Sequence, residues 1–252
     1  MKRIIFIVCL GLAALTLNAQ ENDNGRNLNL SVDVASGFVW RGITLNTSPV
    51  FQPSATFTSG NFMAGIWTSS PFFIRGEGDC FRGLDMFAFY QITPSFSIGI
   101  INYFPHDERL YWGDTSYFNY RREETGHAFD LVATFQSAGG FRAMASTIFA
   151  GWDPNPTELL TNDEWRRNFS TYLELGYGST TRSGLSWEVF AGGVLMESMF
   201  YGVDGAAIIN LGAGASRTFE ISPTFSVPLS LRLSINPANE SMHLTASIAL
   251  FQ

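Results

Sequence analysis

The chain has 252 residues, of which 46% are apolar, 15% aromatic and only 15% charged, with a formal net charge of −7. This charged share lies well below the roughly 25% of soluble domains. The aromatic content excludes a disordered chain, and the acidic balance excludes binding to nucleic-acid phosphates. No lysine occurs beyond Lys2, so the positive charges further along are all arginine. These exclusions leave a folded protein that is rich in aromatic side chains and has no nucleic-acid partner.

Residues 1–20 are predicted to be a cleaved secretory signal peptide, which leaves 21–252 as a single domain. The segment starts with positive charges, continues through the apolar stretch Ile4 to Leu17 and ends at a processing site, Asn18-Ala19-Gln20. Cys80 is the only other cysteine besides the one in the signal, so the exported domain has no internal disulfide. The sequence therefore predicts an exported protein that is stabilised by other means.

Apolar and polar residues alternate with period two in many segments of the exported chain, and this pattern predicts strands. Met86 to His106 is uncharged and about long enough for a membrane helix, but Thr93-Pro94-Ser95 predicts a turn between two strands in its middle. We count twelve strands, with ten as the nearest alternative. They lie at Leu28, Phe51, Phe62, Leu84, Phe96, Phe129, Phe141, Phe169, Leu185, Ile209, Phe225 and Met242.

The predicted connections alternate between long and short. Ser59-Gly60 is short, for example, and would place Phe57 opposite Phe62, whereas Ser70 to Arg82 and Pro105 to Thr125 are long. Outer-membrane barrels have short periplasmic turns and longer extracellular loops. The fold class predicted is therefore all-β: a transmembrane antiparallel β-barrel of about twelve strands with both termini periplasmic, in the outer membrane of a Gram-negative cell. A secreted soluble β-sandwich is the main alternative.

The start of the predicted barrel carries a run of aromatic, glycine and proline residues. The run comprises Phe38-Val39-Trp40-Arg41-Gly42-Ile43, Pro49, Gln52-Pro53, Gly60-Asn61-Phe62, Gly65 and Trp67. It resembles the opening of the TorF-like porin family, and Ile235-Asn236-Pro237 before the final strand also fits. The resemblance implies a small outer-membrane β-barrel that acts as a channel. Two positions depart from the family: Gly83 stands where an acidic residue is expected, and Gln252 follows the terminal aromatic residue.

Side chains that alternation directs inward would line the lumen. They are Asp33, Arg41, Asp85, Asp130, Arg142, Glu174, Glu188, Asn210, Arg232 and His243. Acidic residues outnumber arginines in this set, so an open lumen would admit small neutral or cationic solutes with a weak preference for cations. Alternatively, the charges pair with one another and fill a non-conducting structural or surface-interaction barrel. Both interpretations stay open, because twelve strands fall between filled eight-stranded barrels and open porins.

The long loop from Pro105 to Thr125 is expected to be extracellular, and its aromatic and basic residues would suit sugar or protein binding. These residues are Tyr111, Trp112, Tyr117, Arg121 and Arg122. A solvated loop with mutually paired charges is favoured, because exposed charges collect in loops. The expected partners are outer-membrane lipid and lipopolysaccharide, the outer-membrane assembly machinery and small solutes. No cofactor and no metal are expected.

Enzyme signatures are incomplete. The segment Gly184-Leu185-Ser186-Trp187-Glu188 begins like a nucleophile elbow but has Glu in place of the second glycine, and no histidine pair has metal-ligand spacing. His127 is predicted to point outward at the extracellular end of its strand, as in an outer-membrane lipid hydrolase, but no serine lies within reach of it. A rim histidine at the polar interface is the favoured interpretation. We therefore expect a non-enzymatic protein.

Overall fold

The structure, a computed structural model, describes residues 26–73, 81–105, 116–121, 124–155, 166–222 and 225–251. Fourteen strands and no helix occur in these ranges. The strands are β1 (Arg26–Ala35), β2 (Phe38–Trp40), β3 (Ile43–Asn46), β4 (Val50–Ser59), β5 (Phe62–Pro71), β6 (Gly83–Thr93), β7 (Phe96–Pro105), β8 (Ala128–Gln136), β9 (Phe141–Gly151), β10 (Thr171–Thr180), β11 (Ser186–Val194), β12 (Ala207–Ser222), β13 (Phe225–Asn236) and β14 (Ser241–Phe251). The predicted signal peptide, residues 1–20, lies outside the described residues.

Twelve of these strands close into an antiparallel barrel, as the sequence predicts. β4 to β14 pair in chain order, and β1 completes the ring by pairing with β4 on one side and with β14 on the other. In the closing pair Val34 lies opposite Ile248. Within the described residues, closure leaves the barrel sheet without a free edge, which a sheet surrounded by hydrocarbon requires.

The connections lie at two ends of the barrel, which we call the turn end and the loop end. The turn end holds the connections 60–61, 94–95, 137–140 and 181–185, and β12 and β13 also meet there, at Ser222 and Phe225. The loop end holds 36–49, 72–82, 106–127, 152–170, 195–206 and 237–240. The predicted alternation of short and long connections is thus confirmed, except that 237–240 at the loop end is short. By the rule for outer-membrane barrels, the loop end would be extracellular.

The outward face of the barrel is apolar. Ile66, Leu175 and Leu244 expose 49%, 56% and 67% of their surface, and comparable side chains surround the barrel. A water-soluble protein rarely exposes a continuous apolar belt of this extent, so the belt is a surface for lipid or another apolar partner. No described residues form a helix that is long and apolar enough to cross a membrane.

The turn register differs from the sequence prediction in detail. The turn between β4 and β5 is formed by Gly60 and Asn61, so Ser59 pairs with Phe62, and Phe57 pairs with Ala64 instead of Phe62. Gly60 has a φ of 56°, a left-handed conformation that glycine adopts without steric cost. Because the pairing register is shifted by two residues, each side chain of both strands still lies on its predicted face.

The largest departure from the predicted strand pattern follows β1. The alternation suggested that the first strand runs on to Arg41, but β1 ends at Ala35, and the chain then forms the separate hairpin β2–β3. Backbone bonds tie the base of this hairpin to β14, with the amide of Ser36 donating to the carbonyl of Ala246 at 2.8 Å. The hairpin is not part of the barrel wall, and its tip lies among side chains that point into the lumen.

Candidate functional site

Two connections from the loop end meet inside the barrel and form what we call the plug. It consists of Trp40, Arg41 and Ile43 from the β2–β3 hairpin and of Phe200, Tyr201 and Val203 from connection 195–206. The plug packs against inward-facing wall residues to form a hydrophobic cluster inside the barrel. The buried wall residues of that cluster include Tyr103, Ala128, Ile148, Tyr172, Val194 and Ile209. The loop-end half of the lumen is therefore packed like a protein core.

Arg41 is the polar centre of the plug. Its guanidinium group donates to Asp130 Oδ2 at 2.9 Å, to the Tyr201 hydroxyl at 2.5 Å and to the Tyr103 hydroxyl at 3.2 Å. The same group lies over the ring of Trp40 at 4.7 Å from the ring centre. The Arg41 and Asp130 side chains are 7% and 0% exposed, so this ion pair is shielded from solvent. A planar guanidinium with five donors and a flat face suits such a combination of partners.

The hairpin tip fits closely against the barrel wall. Gly42 has a φ of 80°, and a Cβ atom at this position would lie 1.7 Å from the carbonyl oxygen of Ile209. Ile209 protrudes inward at a bulge in β12, where the pairing with β11 shifts register. Asn236 on β13 donates to the Gly42 carbonyl at 3.2 Å. Trp40, Gly42 and Asn236, which are among the residues that carry the resemblance to the TorF-like family, thus hold the plug in place.

The turn-end half of the lumen carries a belt of paired charges. Glu188 on β11 accepts hydrogen bonds from Arg142 on β9 and from Arg232 on β13, the latter at 2.6 Å. Gly176 and Gly214 lie on the strands between them, and a Cβ atom there would come within 3.3 Å of Arg142 and 2.9 Å of Glu188. The absence of side chains at these two positions lets the charged groups lie along the wall and leaves space in the lumen.

That space is a cavity of about 470 Å³, which we call the vestibule. It lies between the base of the hairpin and the turn end of strands β11 to β13. Its wall combines an aromatic side, hydroxyl groups, one amide and one ion pair. The inward side chains that line it are Phe38, Gln52, Trp67, Ser186, Glu188, Ser216, Ser230, Arg232, Thr245 and Ser247.

The predicted inward residues lie in three places in the structure: in the charged belt, elsewhere on the wall, and at the plug. Arg142, Glu188 and Arg232 form the charged belt, and Asp33 and His243 lie on the wall opposite Gln52 and Ser234. Arg41 is a correction, because it lies on the plug and not on a wall strand. The remaining wall residues, Asp85, Asp130, Glu174 and Asn210, surround the plug.

Burial changes what the plug-side residues can do. Asp130 and Asn210 are 0% and 2% exposed, so neither faces open space. Glu174 accepts hydrogen bonds from the Tyr172 hydroxyl at 2.6 Å and from Asn210 at 2.8 Å. The excess of inward acidic groups, from which a cation preference was expected, is thus largely held at the plug instead of lining the vestibule.

Residues 116–121, the described middle part of the long connection 106–127, pack against the outer face of the barrel. Of the loop residues predicted as a surface, Tyr111, Trp112 and Arg122 lie outside the described residues, whereas Tyr117 packs edge-on against Phe104 with ring centres 5.2 Å apart. Arg121 is exposed and lies 3.6 Å from Glu124. The other charged residues of this loop lie outside the described residues, so mutual pairing of its charges stays a prediction.

His127 is a second correction, because it is fully buried instead of lying in the polar interface. Its Nε2 atom lies 2.6 Å from the carbonyl oxygen of Tyr117, and Nδ1 lies 3.1 Å from the amide of Asn102. The rings of Phe104 and Tyr120 stack on the imidazole at 4.5 and 4.6 Å. Because Nε2 is hydrogen-bonded to this backbone carbonyl, His127 ties the loop to the barrel wall.

A buried polar cluster ties two connections together at the loop end. Asp153 accepts hydrogen bonds from the backbone amide of Ser170 at 2.9 Å and from its hydroxyl at 2.6 Å, and that hydroxyl lies 2.6 Å from the one of Ser198. Burial raises the pKa of Asp153 to about 6, while the hydrogen bonds from Ser170 act in the opposite direction. This cluster anchors connection 195–206, and with it Phe200 and Tyr201 of the plug.

Strand alternation placed Arg41 inside the barrel but missed Trp40, Phe200 and Tyr201 of the plug, because it describes only wall strands. A usable signal was nonetheless present: the connection after β1 holds Phe38 and Trp40, and connection 195–206 holds Phe200-Tyr201. Large aromatic residues in connections that should face water indicate that those connections are buried. The sequence did not, however, indicate that the two connections meet each other.

The comparisons with known proteins found structural similarity only. No family model matches the chain, and no curated protein matches it. Among solved structures, the chain is similar to a protein studied for the in-meso crystallization of membrane proteins. The match covers 88% of this chain and 82% of that protein, with 8% identity and a TM-score of 0.45. OprB of Pseudomonas putida at high pH covers 90%, with 94% of its own chain covered, 10% identity and a TM-score of 0.33. Both TM-scores are below 0.5, so the function is argued from this chain's own residues, and the TorF-like resemblance stays a prediction.

Proposed function

We propose that the chain is an outer-membrane β-barrel channel for small solutes, with a vestibule at the turn end and a plug that closes the loop end. The observation that carries the proposal is the vestibule itself. A polar cavity of about 470 Å³ stands inside a closed barrel whose outward face is apolar. The hydroxyls, the amide and the ion pair on the cavity wall suit a water-filled space, as a path for polar solutes requires.

The membrane assignment rests on the combination of closure with an apolar outer surface. A closed barrel satisfies all backbone hydrogen bonds among its strands, and apolar side chains then contact the acyl chains. The predicted signal peptide, outer-membrane lipid with lipopolysaccharide, and the outer-membrane assembly machinery belong to the same proposal. Transport of solutes, and not catalysis, is the proposed activity.

A non-conducting barrel is the second candidate, and the plug favours it. All three arginines predicted to face inward are engaged in ion pairs: Arg41 with Asp130, and Arg142 and Arg232 with Glu188. Charges that pair in this way fill space instead of attracting ions. The two candidates differ in one measurable property, because only a channel passes current.

Planar-bilayer recording tests the proposal with the wild type and the Arg41→Ala variant. A channel closed by the plug gives small or infrequent current steps in the wild type. Larger or more frequent steps are expected in Arg41→Ala, because the plug loses three hydrogen bonds, one of which is its ion pair with Asp130. Arg121→Ala, which changes an exposed loop arginine, should record like the wild type. Silence in both the wild type and Arg41→Ala, with folded protein in the bilayer, would leave the non-conducting barrel as the function.

A further inference from the structure

We propose that the vestibule is a binding site for an uncharged polyhydroxylated solute of the size of a mono- or disaccharide. This inference deepens the proposed function, since it names the class of solute that the channel would pass. It rests on the register of hydroxyl-bearing strands, on an aromatic wall beside them and on the balance of charge, all within described residues.

The first observation is a row of hydroxyl groups across four neighbouring strands. Ser186 on β11 pairs with Ser216 on β12, Ser216 pairs with Ser230 on β13, and Ser230 pairs with Ser247 on β14. Neighbouring strands lie about 4.8 Å apart, so the four serines form a band about 14 Å long. All four line the vestibule. Thr180 extends the row, since its hydroxyl lies 2.9 Å from that of Ser186.

Such a band suits a ligand that is itself a chain of hydroxyl groups. Each serine can donate one hydrogen bond and accept two, and its hydroxyl rotates to match its partner. A polyol or sugar has the same dual character along its whole length. A charged ligand, by contrast, gains most from concentrated charge, which this wall does not offer.

The second observation is an aromatic surface next to the serine band. Phe38 at the base of the hairpin and Trp67 on β5 have ring centres 5.2 Å apart with planes tilted by 52°, and both are half-buried at the vestibule. Gln52 lines the cavity on the adjacent strand β4 and adds an amide with both donor and acceptor character. Small-molecule sites combine apolar and aromatic surface with a few polar groups in this manner. A sugar ring presents C–H groups on its faces and hydroxyls at its edge, which matches the two walls.

The third observation concerns charge. The two charged residues that line the vestibule, Glu188 and Arg232, are bonded to each other at 2.6 Å. Arg142 shares the same carboxylate, and Asp33 on β1, the strand partner of Gln52, is an inward acidic residue on the same wall. Positive and negative groups thus balance around the cavity. An uncharged solute enters without displacing an ion pair, whereas an ionic solute would compete with one of these partners.

The size of the cavity agrees with this class of ligand. Small-molecule sites are typically about 300–1,000 Å³ in volume, and the vestibule lies within that range at about 470 Å³. The plug limits its extent toward the loop end. A solute held there would therefore lie next to the plug.

Binding can be measured without any current, by isothermal titration calorimetry of the detergent-purified protein. The probes are sucrose as an uncharged sugar, glucose 1-phosphate as an anionic sugar and glucosamine as a cationic one. We expect saturable binding of sucrose and at least about tenfold weaker binding of both charged sugars.

Two variants and two matched controls locate the site. Trp67→Ala is expected to weaken sucrose binding about tenfold, and the double variant Ser216→Ala/Ser230→Ala several-fold. Tyr177→Ala removes an aromatic ring from the outward face, and Ser183→Ala removes a hydroxyl from the turn 181–185. Both controls should bind sucrose like the wild type. If Trp67→Ala does not fold, as judged by heat-modifiable migration on gels, the serine variant alone decides.

The outcomes separate this inference from the proposed function. A lack of saturable sucrose binding, tighter binding of a charged sugar, or equal losses in variants and controls would each overturn the sugar site. Current steps without sucrose binding would overturn the site and leave the channel. Sucrose binding in a protein that never conducts would support the site and contradict the channel.

Discussion

At the scale of single residues, Arg41 is the centre of the plug. It pairs with Asp130 Oδ2 in a place that water does not reach, and its own charge is compensated by that carboxylate and by two tyrosine hydroxyls. Burying such a pair is expensive, but removing one partner costs more, because the other charge is left without compensation. The partly exposed belt of Arg142, Glu188 and Arg232 differs, since solvent screens it and Glu188 keeps one arginine when the other is removed.

We expect Arg41→Ala to lower the free energy of unfolding by about 3–5 kcal/mol, the cost of leaving a buried Asp130 unpaired. Arg142→Ala, the matched control at a side chain that is 41% exposed, should cost about 1 kcal/mol or less. Urea unfolding in lipid vesicles, followed by tryptophan fluorescence, measures both. Equal losses in the two variants would show that Arg41 is not a buried anchor.

Asp153 makes stability depend on pH at the loop end. Its pKa is raised from 3.8 to about 6 in the folded protein, so the folded state binds the proton more tightly than the unfolded state does. The stabilisation that protonated Asp153 gives to the folded state is complete below about pH 4. It is lost as the pH rises from about 4 to about 6. This stabilisation is on the order of 3 kcal/mol at most, since a difference of one in pKa between the folded and unfolded states corresponds to about 1.4 kcal/mol.

The Asp153→Asn variant removes this titration and keeps most of the shape of the side chain. We expect its unfolding free energy to vary less between pH 4 and 6 than that of the wild type, with the two curves parallel above pH 7. Glu240→Gln, at an exposed position in connection 237–240, is the control and should follow the wild type. If the unfolding free energies of the wild type and of Asp153→Asn change by the same amount between pH 4 and 6, the assignment is contradicted.

At the scale of secondary-structure elements, the β2–β3 hairpin determines which part of the lumen is open. Its base is bonded to β14, its tip is seated against the bulge in β12, and its aromatic side chains pack with connection 195–206. Gly42 cannot carry a side chain, because its φ is positive and because a Cβ atom would clash with the carbonyl oxygen of Ile209. The hairpin is therefore held as a docked element by contacts at both its base and its tip.

A pair of glycine variants tests this seat. Gly42→Ala combines backbone strain with a clash against Ile209, so we expect it to cost several kcal/mol or to displace the hairpin. Gly184 has a similar φ of 79°, but a Cβ atom there would meet nothing within 4 Å, so Gly184→Ala isolates the strain and should cost about 1–2 kcal/mol. Urea unfolding measures both variants. Similar costs for the two would mean that the hairpin tip is not seated against β12.

Much of the wall could be predicted from sequence, because alternation is a local property. Leu229, Leu231 and Leu233 already show which way β13 faces, and no distant residue is needed to say so. The plug could not be predicted in this way. Arg41 meets Tyr103, Asp130 and Tyr201, which lie 62, 89 and 160 residues away along the chain. Alternation gives the direction of a side chain but not its partners or its burial.

At the scale of the whole molecule, the barrel is inverted relative to a water-soluble protein. Its outward face is apolar, whereas the turn-end half of its interior holds hydroxyls, ion pairs and a cavity with a partly polar wall. Such a surface is stable in a bilayer or in detergent, whereas in water it would associate with other copies.

Heat-modifiable migration tests the closed barrel directly. Unboiled protein in dodecyl sulfate should migrate as a compact species and shift to its full apparent mass after boiling, because closure makes all strand hydrogen bonds break together. Purified protein that stays monomeric in water without detergent, with no shift on boiling, would contradict a membrane barrel.

The proposed channel has a lumen that is open at the turn end and closed by the plug at the loop end. Single cysteines in a Cys80→Ser background, treated with a maleimide too large to cross the outer membrane, test this arrangement in cells. Ser216→Cys lies in the vestibule, and two exposed positions are controls: Asn239→Cys at the loop end and Ser183→Cys at the turn end. We predict that Asn239→Cys reacts in intact cells, while Ser216→Cys and Ser183→Cys react only after the outer membrane is permeabilised. Reaction of Ser216→Cys in intact cells as fast as Asn239→Cys, or none after permeabilisation, would contradict the arrangement.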